Sequence, residues 1–288
     1  MKVGALIFAH NNRDIDYALM ALIAGGLAKK HLNIPVSLVT DDTTLAWMKQ
    51  SGIYDRATTV FEHIIEVDKP VSDNTRRLYD GAENTKVVPF VNSNRSNAWT
   101  LTPYDRTLLL DSDYFIFSDR LAEYFNLDED VLISKAINDV VGSSRVGYHD
   151  RYISDTGVHL YWATNVIFTK NERSKAFFEM VSYVRDNYEY YADLFRFDPR
   201  QYRNDISFSV AKHILGGFET DAEMSLPPVL TAIDKDILHS VDANGKLTFL
   251  ISPQLGASYC AAAFKNQDIH IMNKQSVVRN ATSLLELI

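Results

Sequence analysis

The sequence predicts an α/β fold in which a mixed, mainly parallel sheet is flanked by helices. Near the amino terminus, the apolar strand pattern VGALIFAH is followed by a helical pattern and by a second strand pattern, IPVSLVTDD. A strand, a helix and a strand in this order form a βαβ unit, whose strands normally run parallel with a right-handed crossover. The length of 288 residues suits one large α/β domain. We therefore expect a single domain over residues 1–288.

Polar residues follow the first two predicted strands. In an open parallel sheet, ligands bind beyond the carboxyl ends of the strands. We therefore predict that the residues at these two strand ends lie where a nucleotide can be held. They are Ala9, His10, Asn11, Asn12, Asp41 and Asp42.

The rest of the chain continues to alternate strand and helix patterns. Further strand patterns are RATTVFEHIIEVD, TLLL, DVLISKAI, ATNVIFTKN, KLTFLIS and QDIHIMNK. The longest helical pattern is ERSKAFFEMVSYVRDNYEYYADLF, and RNDISFSVAKHILGG has the acidic start and glycine stop of a helix. Two polar excursions, at 69–99 and 139–161, show little periodicity, and long excursions in compact domains are often functional.

Composition and charge argue against several classes of protein. The net charge of −8 disfavours a protein that coats nucleic acid by general electrostatics, because that mode depends on clustered basic residues. Cys260 is the sole cysteine, so no internal disulfide can form, and its apolar neighbours predict a packed side chain. No segment approaches the roughly 20 apolar residues of a spanning helix. We expect a soluble, cytoplasmic protein.

The stretch TLLLDSDYFIF contains the most informative motif of the chain. Asp111 and Asp113 flank Ser112 in the middle of an apolar strand pattern. Burying an unpaired carboxylate is costly, so the pair requires a cation or a water-filled opening. The two carboxylates point together if the strand stays extended, or they lie on a tight turn at its end. Oxygen ligands of this kind suit Mg²⁺ or Mn²⁺, although Asp-Ser-Asp is also compatible with a simple turn.

Two enzyme classes place such a pair after an apolar strand. In phosphatases of the haloacid dehalogenase type the first aspartate is a nucleophile, but their motif usually lies near the amino terminus. In GT-A nucleotide-sugar glycosyltransferases the pair holds a divalent ion midway along the domain. PYDRTLLLDSDYFI resembles the pydkviylDaDtlv segment of the second class, especially of the retaining family that includes glycogenin and bacterial lipopolysaccharide galactosyltransferases.

The resemblance extends along the chain in the same order as in that family. IFAHNNRDIDY resembles its nucleotide-binding strand end, and ATNVIFTKN, with Asn165, resembles its fNaGvmlf strand. RNDISFS, with Asn204 and Asp205, is similar to DQdalN, and HIMNKQS, with His270 and Lys274, looks like a shortened HxxGxxKPW. Within the family, the chain is most similar in appearance to phage-encoded members.

This resemblance implies a GT-A (Rossmann-like) fold and a transferase that moves a hexose or a pentose from a nucleotide sugar, expected to be a UDP-sugar, with retention. Mn²⁺ or Mg²⁺ would be bound by Asp111, Asp113 and His270. The acceptor would be a glycan or a hydroxymethylated base in phage DNA, in a site shaped by the polar excursions. The resemblance implies that Asn165, Asn204 and Asp205 are catalytic, with the Asp205 carboxylate near the sugar, and that Ser112 contacts the donor.

Positive charge beside the phosphates is a further requirement of this chemistry, because it stabilises the leaving nucleotide. The candidates are Lys274, Lys86 and Arg95.

Other interpretations remain open at this point. A phosphatase with Asp111 as nucleophile would hydrolyse small phosphoesters without a nucleotide. A nucleotide-sugar-binding protein without catalysis would bind UDP and transfer nothing. Asp205 is also a candidate helix cap, and His270 is also compatible with a packed core residue.

Overall fold

The computed structural model describes most of the chain. The described residues are 1–70, 74–142, 145, 147, 150–218, 224–252 and 258–288. Parts of the two polar excursions, at 71–73, 143, 144, 146, 148 and 149, lie outside the described residues. None of the described helices is long and apolar enough to cross a lipid bilayer. That residues 1–288 form one domain stays a prediction.

Strands and helices alternate along the described chain. The strands are β1 (Val3–Phe8), β2 (Val36–Thr40), β3 (Phe61–Glu66), β4 (Thr75–Asp80), β5 (Asn84–Pro89), β6 (Arg106–Leu110), β7 (Tyr114–Phe115), β8 (Val131–Ser134), β9 (Ile137–Asp139), β10 (Trp162–Thr169), β11 (Val229–Ala232), β12 (Ile237–Val241), β13 (Leu247–Ile251), β14 (Cys260–Phe264) and β15 (Ile269–Ile271). The helices are α1 (Tyr17–Leu32), α2 (Asp42–Gln50), α3 (Tyr54–Val60), α4 (Ala98–Leu101), α5 (Glu172–Asp186), α6 (Tyr188–Phe195), α7 (Asn204–Leu215), α8 (Lys274–Arg279) and α9 (Ala281–Leu285).

The central sheet of the described residues has six strands in the order β3-β2-β1-β6-β10-β8. The first four strands of this order are parallel, and β10 runs antiparallel to both of its neighbours. Alternate residues of a strand face opposite sides of a sheet. Accordingly, Ala5 and Ile7 belong to the core that contains α1, whereas Leu6 and Phe8 pack with residues of α5 and α7. The predicted mixed, mainly parallel sheet flanked by helices is confirmed.

A smaller sheet places the end of the chain against the end of β6. Its strand order is β7-β15-β11-β9 within the described residues, and β15 pairs antiparallel with β7. The pairing places His270 opposite Tyr114, and Ile271 donates its N–H to the Asp113 carbonyl at 2.9 Å. This backbone pairing brings His270 beside the acidic pair, although Asp113 precedes His270 by 157 residues in the sequence.

Three local expectations differ from the structure. The helical pattern at 172–195 forms two helices, because Asn187 leaves helical geometry between α5 and α6 with φ −116°. The first polar excursion, which shows little periodicity in the sequence, contains the hairpin β4–β5. The alternation of apolar and polar residues is weak there because most of β5 is exposed. Cys260 is exposed rather than packed, because β14 lies at the edge of its three-stranded sheet.

Gly4 of β1 allows the closest approach between the sheet and Tyr104. A Cβ at this position would lie 2.5 Å from the Tyr104 ring. The ring has little freedom to move, because it is buried and its hydroxyl is 2.7 Å from Ser37 Oγ. The packing of β1 against Tyr104 therefore requires a glycine at position 4.

We predict that Gly4→Ala lowers the free energy of unfolding by about 1–3 kcal/mol, because an added methyl group overpacks this contact. Urea unfolding measures the difference. Gly147→Ala is the control, because its Cβ would meet Asp150 Oδ2 at an ordinary 3.6 Å. Equal stabilities of the two variants would contradict the proposed contact.

Candidate functional site

A cavity of about 810 Å³ lies at the carboxyl ends of β1 and β6. Its wall includes Phe8 at the end of β1, the turn after β6 and the start of β10. Many of the residues singled out from the sequence line this cavity. They are Arg95, Asp111, Ser112, Asp113, Asn204, Asp205, His270 and Lys274.

The acidic pair lies on a tight turn that follows β6. Asp111 continues the sheet by donating its N–H to the Thr164 carbonyl at 2.9 Å, and Tyr114 then donates to the Asp111 carbonyl at 3.2 Å. Of the two geometries that the sequence left open, the structure has the turn. The apolar strands on both sides of the turn keep the two carboxylates in the cavity wall.

Each carboxylate of the pair has its own cationic partner. Arg95 Nη1 lies 2.8 Å from Asp111 Oδ1, and Lys274 Nζ lies 2.5 Å from Asp113 Oδ2. His270 Nε2 lies 3.4 Å from the other oxygen of Asp113. Two segments that are distant in sequence, one with Arg95 and one with His270 and Lys274, therefore supply positive or polar partners to one turn.

The two carboxyl groups differ in their electrostatic environment. Burial raises the pKa of Asp111 above its usual range, and Arg95 only partly opposes this effect. Burial would also raise the pKa of Asp113, but Lys274 and His270 hold it well below its usual range. Asp113 is therefore the more firmly ionised member of the pair.

Asp111, Asp113 and His270 form a group that could hold a metal ion. One ligand atom of each residue lies within 4.8 Å of the others. His270 Nδ1 is buried and has no hydrogen-bond partner among the described residues, so the imidazole retains an unused polar atom. Two carboxylates and an imidazole fit Mn²⁺ or Mg²⁺ by ligand type. The residues present thus fit the predicted metal.

Unpartnered buried polar atoms are concentrated around the cavity. Buried polar groups in folded proteins are nearly always hydrogen-bonded, so such atoms indicate a missing ligand or solvent partner. Among the described residues, those that line the cavity are Tyr17 Oη, Arg95 Nε and Nη2, Tyr202 Oη, Asn204 Oδ1 and His270 Nδ1.

Sequence reasoning missed Tyr17 and Tyr202. Tyr17 is the first residue of α1 and fits the helical spacing of core residues, so its pattern predicts packing only. Tyr202 lies two residues before the Asn204–Asp205 motif, and this proximity was the one available signal.

Asn204 and Asp205 lie in the first turn of α7. Asn204 Nδ2 donates to the Asn92 carbonyl at 3.0 Å, which leaves its Oδ1 without a partner among the described residues. Asp205 is paired with Arg203, whose Nε donates to Oδ1 at 3.0 Å. The N-cap position of α7 belongs to Arg203, so Asp205 does not cap the helix.

His10 and Asp41 organise the loops behind the cavity wall. His10 Nδ1 donates to Asp41 Oδ2 at 2.9 Å, and Asn94 Nδ2 donates to His10 Nε2 at 3.1 Å. The His10 N–H donates to Asn92 Oδ1 at 2.8 Å. These bonds connect the ends of β1 and β2 to the segment that carries Arg95.

Asn11 and Asn12 are engaged within the same loop. Asn11 Oδ1 accepts the Ala18 N–H at 2.8 Å, and Asn12 Oδ1 accepts the N–H groups of Asp14 and Ile15, both at 2.8 Å. The two asparagines thereby order the entry into α1. They are not among the residues that line the cavity.

Three other residues singled out from the sequence also lie outside the cavity lining. Ala9 is buried and donates its N–H to the Val39 carbonyl at 2.9 Å. Lys86 is exposed on β5, with its Nζ 2.6 Å from Asp14 Oδ1. Asn165 is fully buried on β10, where its Oδ1 accepts the Ser134 hydroxyl at 2.9 Å and its Nδ2 lacks a partner among the described residues.

The His10–Asp41 contact makes stability depend on pH. Burial lowers the pKa of His10, so its folded form favours the neutral ring. Burial alone would raise the pKa of Asp41, but hydrogen bonds from Thr43, Thr44 and His10 lower it to about 2. The unfolded chain therefore binds more protons than the folded chain as the pH falls below the ordinary histidine range.

We predict that the free energy of unfolding falls as the pH is lowered from 7.5 through about 6.5, the ordinary histidine pKa. Urea unfolding at pH 7.5 and pH 5.5 measures this change, and His10→Gln should show a smaller loss than wild type. His239→Gln is the control, because His239 is exposed on β12. The same loss in His10→Gln as in wild type would contradict the assignment.

No protein-family model and no curated protein matches the chain. Solved structures that resemble it include the glycosyltransferase GlyE of Streptococcus pneumoniae TIGR4, at 14% identity, 75% coverage of this chain, 43% of that chain and a TM-score of 0.41. The galactosyltransferase LgtC, solved with donor and acceptor sugar analogs, is 15% identical, and the match covers 74% of this chain and 70% of the LgtC chain with a TM-score of 0.43. S. aureus TarS is 16% identical, and the match covers 73% of this chain and 55% of the TarS chain with a TM-score of 0.35. The chain spans less than half of the GlyE chain, and likeness at this level does not carry an activity from one chain to another.

Proposed function

We propose that the chain is a metal-dependent glycosyltransferase that transfers a sugar from a nucleotide sugar, expected to be a UDP-sugar, to an acceptor. The observation that carries this proposal is the cluster of Asp111, Asp113 and His270 in the wall of one cavity, with Arg95 and Lys274 against the two carboxylates. Such a cluster combines a site for a divalent cation with protein cations suited to phosphate.

Charge balance favours a ligand that contains a diphosphate. The two carboxylates are already matched by the guanidinium of Arg95 and the ammonium of Lys274. A divalent cation alone would leave an excess of positive charge in a buried place, which is unfavourable. The two negative charges of a nucleotide sugar diphosphate offset that excess, so the cation and the diphosphate suit the site together.

The size of the cavity agrees with a nucleotide sugar. Ligand sites for small molecules usually measure roughly 300–1,000 Å³. The cavity of about 810 Å³ lies within that range, and its wall combines aromatic side chains with unpartnered polar atoms. A ligand with a base, phosphates and sugar hydroxyls uses both kinds of surface.

Each part of the proposed donor has candidate partners in the chain. A divalent cation held by Asp111, Asp113 and His270 would offset the charge that develops on the leaving nucleotide. Lys274 and Arg95, which contact the two carboxylates, would lie beside the phosphates, and Ser112 belongs to the same turn. The loops with Ala9, His10, Asn11, Asn12 and Asp41 support the nucleotide side, and Lys86 lies on the neighbouring hairpin. Asn204 and Asp205 belong to the sugar side, where Asp205 can bind hydroxyl groups or stabilise an oxocarbenium-like centre. Asn165 can act there only through its neighbours, because it is buried outside the cavity lining.

Retention of configuration and the acceptor belong to the same proposal. Retention rests on the sequence resemblance alone. The acceptor is a glycan or a hydroxymethylated base in DNA, and a panel with both classes would separate them.

We predict that one nucleotide sugar raises the thermal unfolding midpoint of the wild type in the presence of Mn²⁺ and not in the presence of EDTA. A ligand at about 100 times its dissociation constant adds roughly 2.7 kcal/mol to the stability of the folded state. The combined variant Asp111→Asn with Asp113→Asn should lose this stabilisation, because the metal loses two anionic ligands.

Asp193→Asn is the matched control, since Asp193 is an exposed aspartate on α6, and it should keep the wild-type response. No stabilisation of wild type by any nucleotide sugar would contradict the proposal. Hydrolysis of small phosphoesters without a nucleotide would instead support the phosphatase.

A further inference from the structure

Lys274 forms an ion pair with Asp113, whose carboxylate is one of the ligands of the proposed metal site. Its Nζ lies 2.5 Å from Asp113 Oδ2 and 3.5 Å from the Met272 carbonyl, and the side chain is 8% exposed. The other oxygen of Asp113 faces His270. In the described chain, each oxygen of Asp113 therefore faces a group of the protein itself.

This ion pair competes with any cation that approaches Asp113. Both partners are buried, so separating them without a replacement leaves an uncompensated charge on each. A divalent cation arriving alone would displace the ammonium from Asp113 while the ammonium gains no new anion. A diphosphate arriving with the cation supplies that anion.

Arg95 and Lys274 are not equivalent in this respect. Arg95 is buried, and its guanidinium lies over the Phe208 ring, 6.0 Å from the ring centroid. Lys274 is the first residue of the short helix α8, and a lysine ammonium is a point charge on a flexible stem. Of the two protein cations, Lys274 is the one suited to exchange one oxygen partner for another.

We propose that Lys274 makes the binding of a divalent cation depend on the diphosphate. This inference rests on the proposed function. In the chain without ligands the ammonium holds Asp113, and in the complex it contacts the diphosphate oxygens, which frees the Asp113 oxygen for the cation. Because binding free energies are reciprocal, the cation and the diphosphate then raise each other's affinity by the same factor.

This role differs from that of a lysine that only binds phosphate. If Lys274 were only a phosphate ligand, its removal would weaken nucleotide binding and leave the binding of the cation alone unchanged. If Lys274 also competes for Asp113, its removal strengthens the binding of the cation alone. The two roles therefore predict different results for a measurement made without nucleotide.

The experiment is a titration with Mn²⁺, in which free Mn²⁺ is measured by electron paramagnetic resonance with and without UDP. We expect wild type to bind Mn²⁺ weakly alone and at least about tenfold more tightly with UDP, within the usual range of coupling between sites. Lys274→Met should bind Mn²⁺ alone about tenfold more tightly than wild type does, and UDP should add little. Lys274→Arg retains the charge and should restore the dependence on UDP.

Controls separate this effect from loss of charge or of folding. Lys235→Met removes one lysine charge from the same region, because Lys235 is exposed and follows Asp234 of the cavity wall, and it should behave as wild type. Lys274→Gln keeps an N–H donor toward Asp113 and serves if Lys274→Met does not fold. As a second readout, Mn²⁺ alone should raise the thermal unfolding midpoint more in Lys274→Met or Lys274→Gln than in wild type.

The outcomes distinguish this inference from the proposed function. UDP-dependent binding of Mn²⁺ in wild type, with no gain in affinity for Mn²⁺ alone in Lys274→Met or Lys274→Gln, would overturn the role of Lys274 and leave the metal site in place. No binding of Mn²⁺ by any of these proteins, with or without UDP, would overturn both.

Discussion

The arrangement of the site follows from the cost of placing two carboxylates in the cavity wall at the end of β6. Asp113 is buried, and Asp111 is partly buried, with its side chain 30% exposed. Removing the cationic partner of a buried carboxylate such as Asp113 typically costs about 3–5 kcal/mol. Arg95 approaches the pair from the segment before β6, and His270 and Lys274 approach it from the segment that contains β15 and the start of α8. The strand β15 pairs with β7 directly beside this turn, so the electrostatic requirement and the backbone pairing support the same geometry.

The two sides of the cavity differ in how their polar residues are held. On one side, the hydrogen bonds of His10 with Asp41 and Asn94 connect the strand ends behind Arg95. On the other side, Lys274 begins a short helix, and its one charged contact among the described residues is Asp113. Under the proposed function, this contrast would let one cavity keep its carboxylates neutralised without ligands and bind a cation and a diphosphate together.

Local sequence pattern was sufficient for the sheet and for the position of the acidic pair. The strands β1, β2 and β6 are short, mostly apolar runs, as expected for strands that are buried on both faces. The partnership of Arg95 with Asp111 was beyond such reasoning, because it depends on how a polar excursion folds back over the sheet. Tyr17 and Tyr202 were missed for a related reason. The sequence predicts a packed aromatic ring at either position, and only the structure shows that the hydroxyl group lies at the cavity without a partner among the described residues. The break at Asn187 was missed because the helical spacing continues across it.

The most direct test of the account is a crystal of the protein grown with UDP and Mn²⁺ and measured for the anomalous scattering of manganese. The account predicts one anomalous peak bounded by Asp111, Asp113 and His270 and in contact with the diphosphate of UDP. Bound UDP with no manganese peak at these residues, or with manganese held elsewhere, would contradict it.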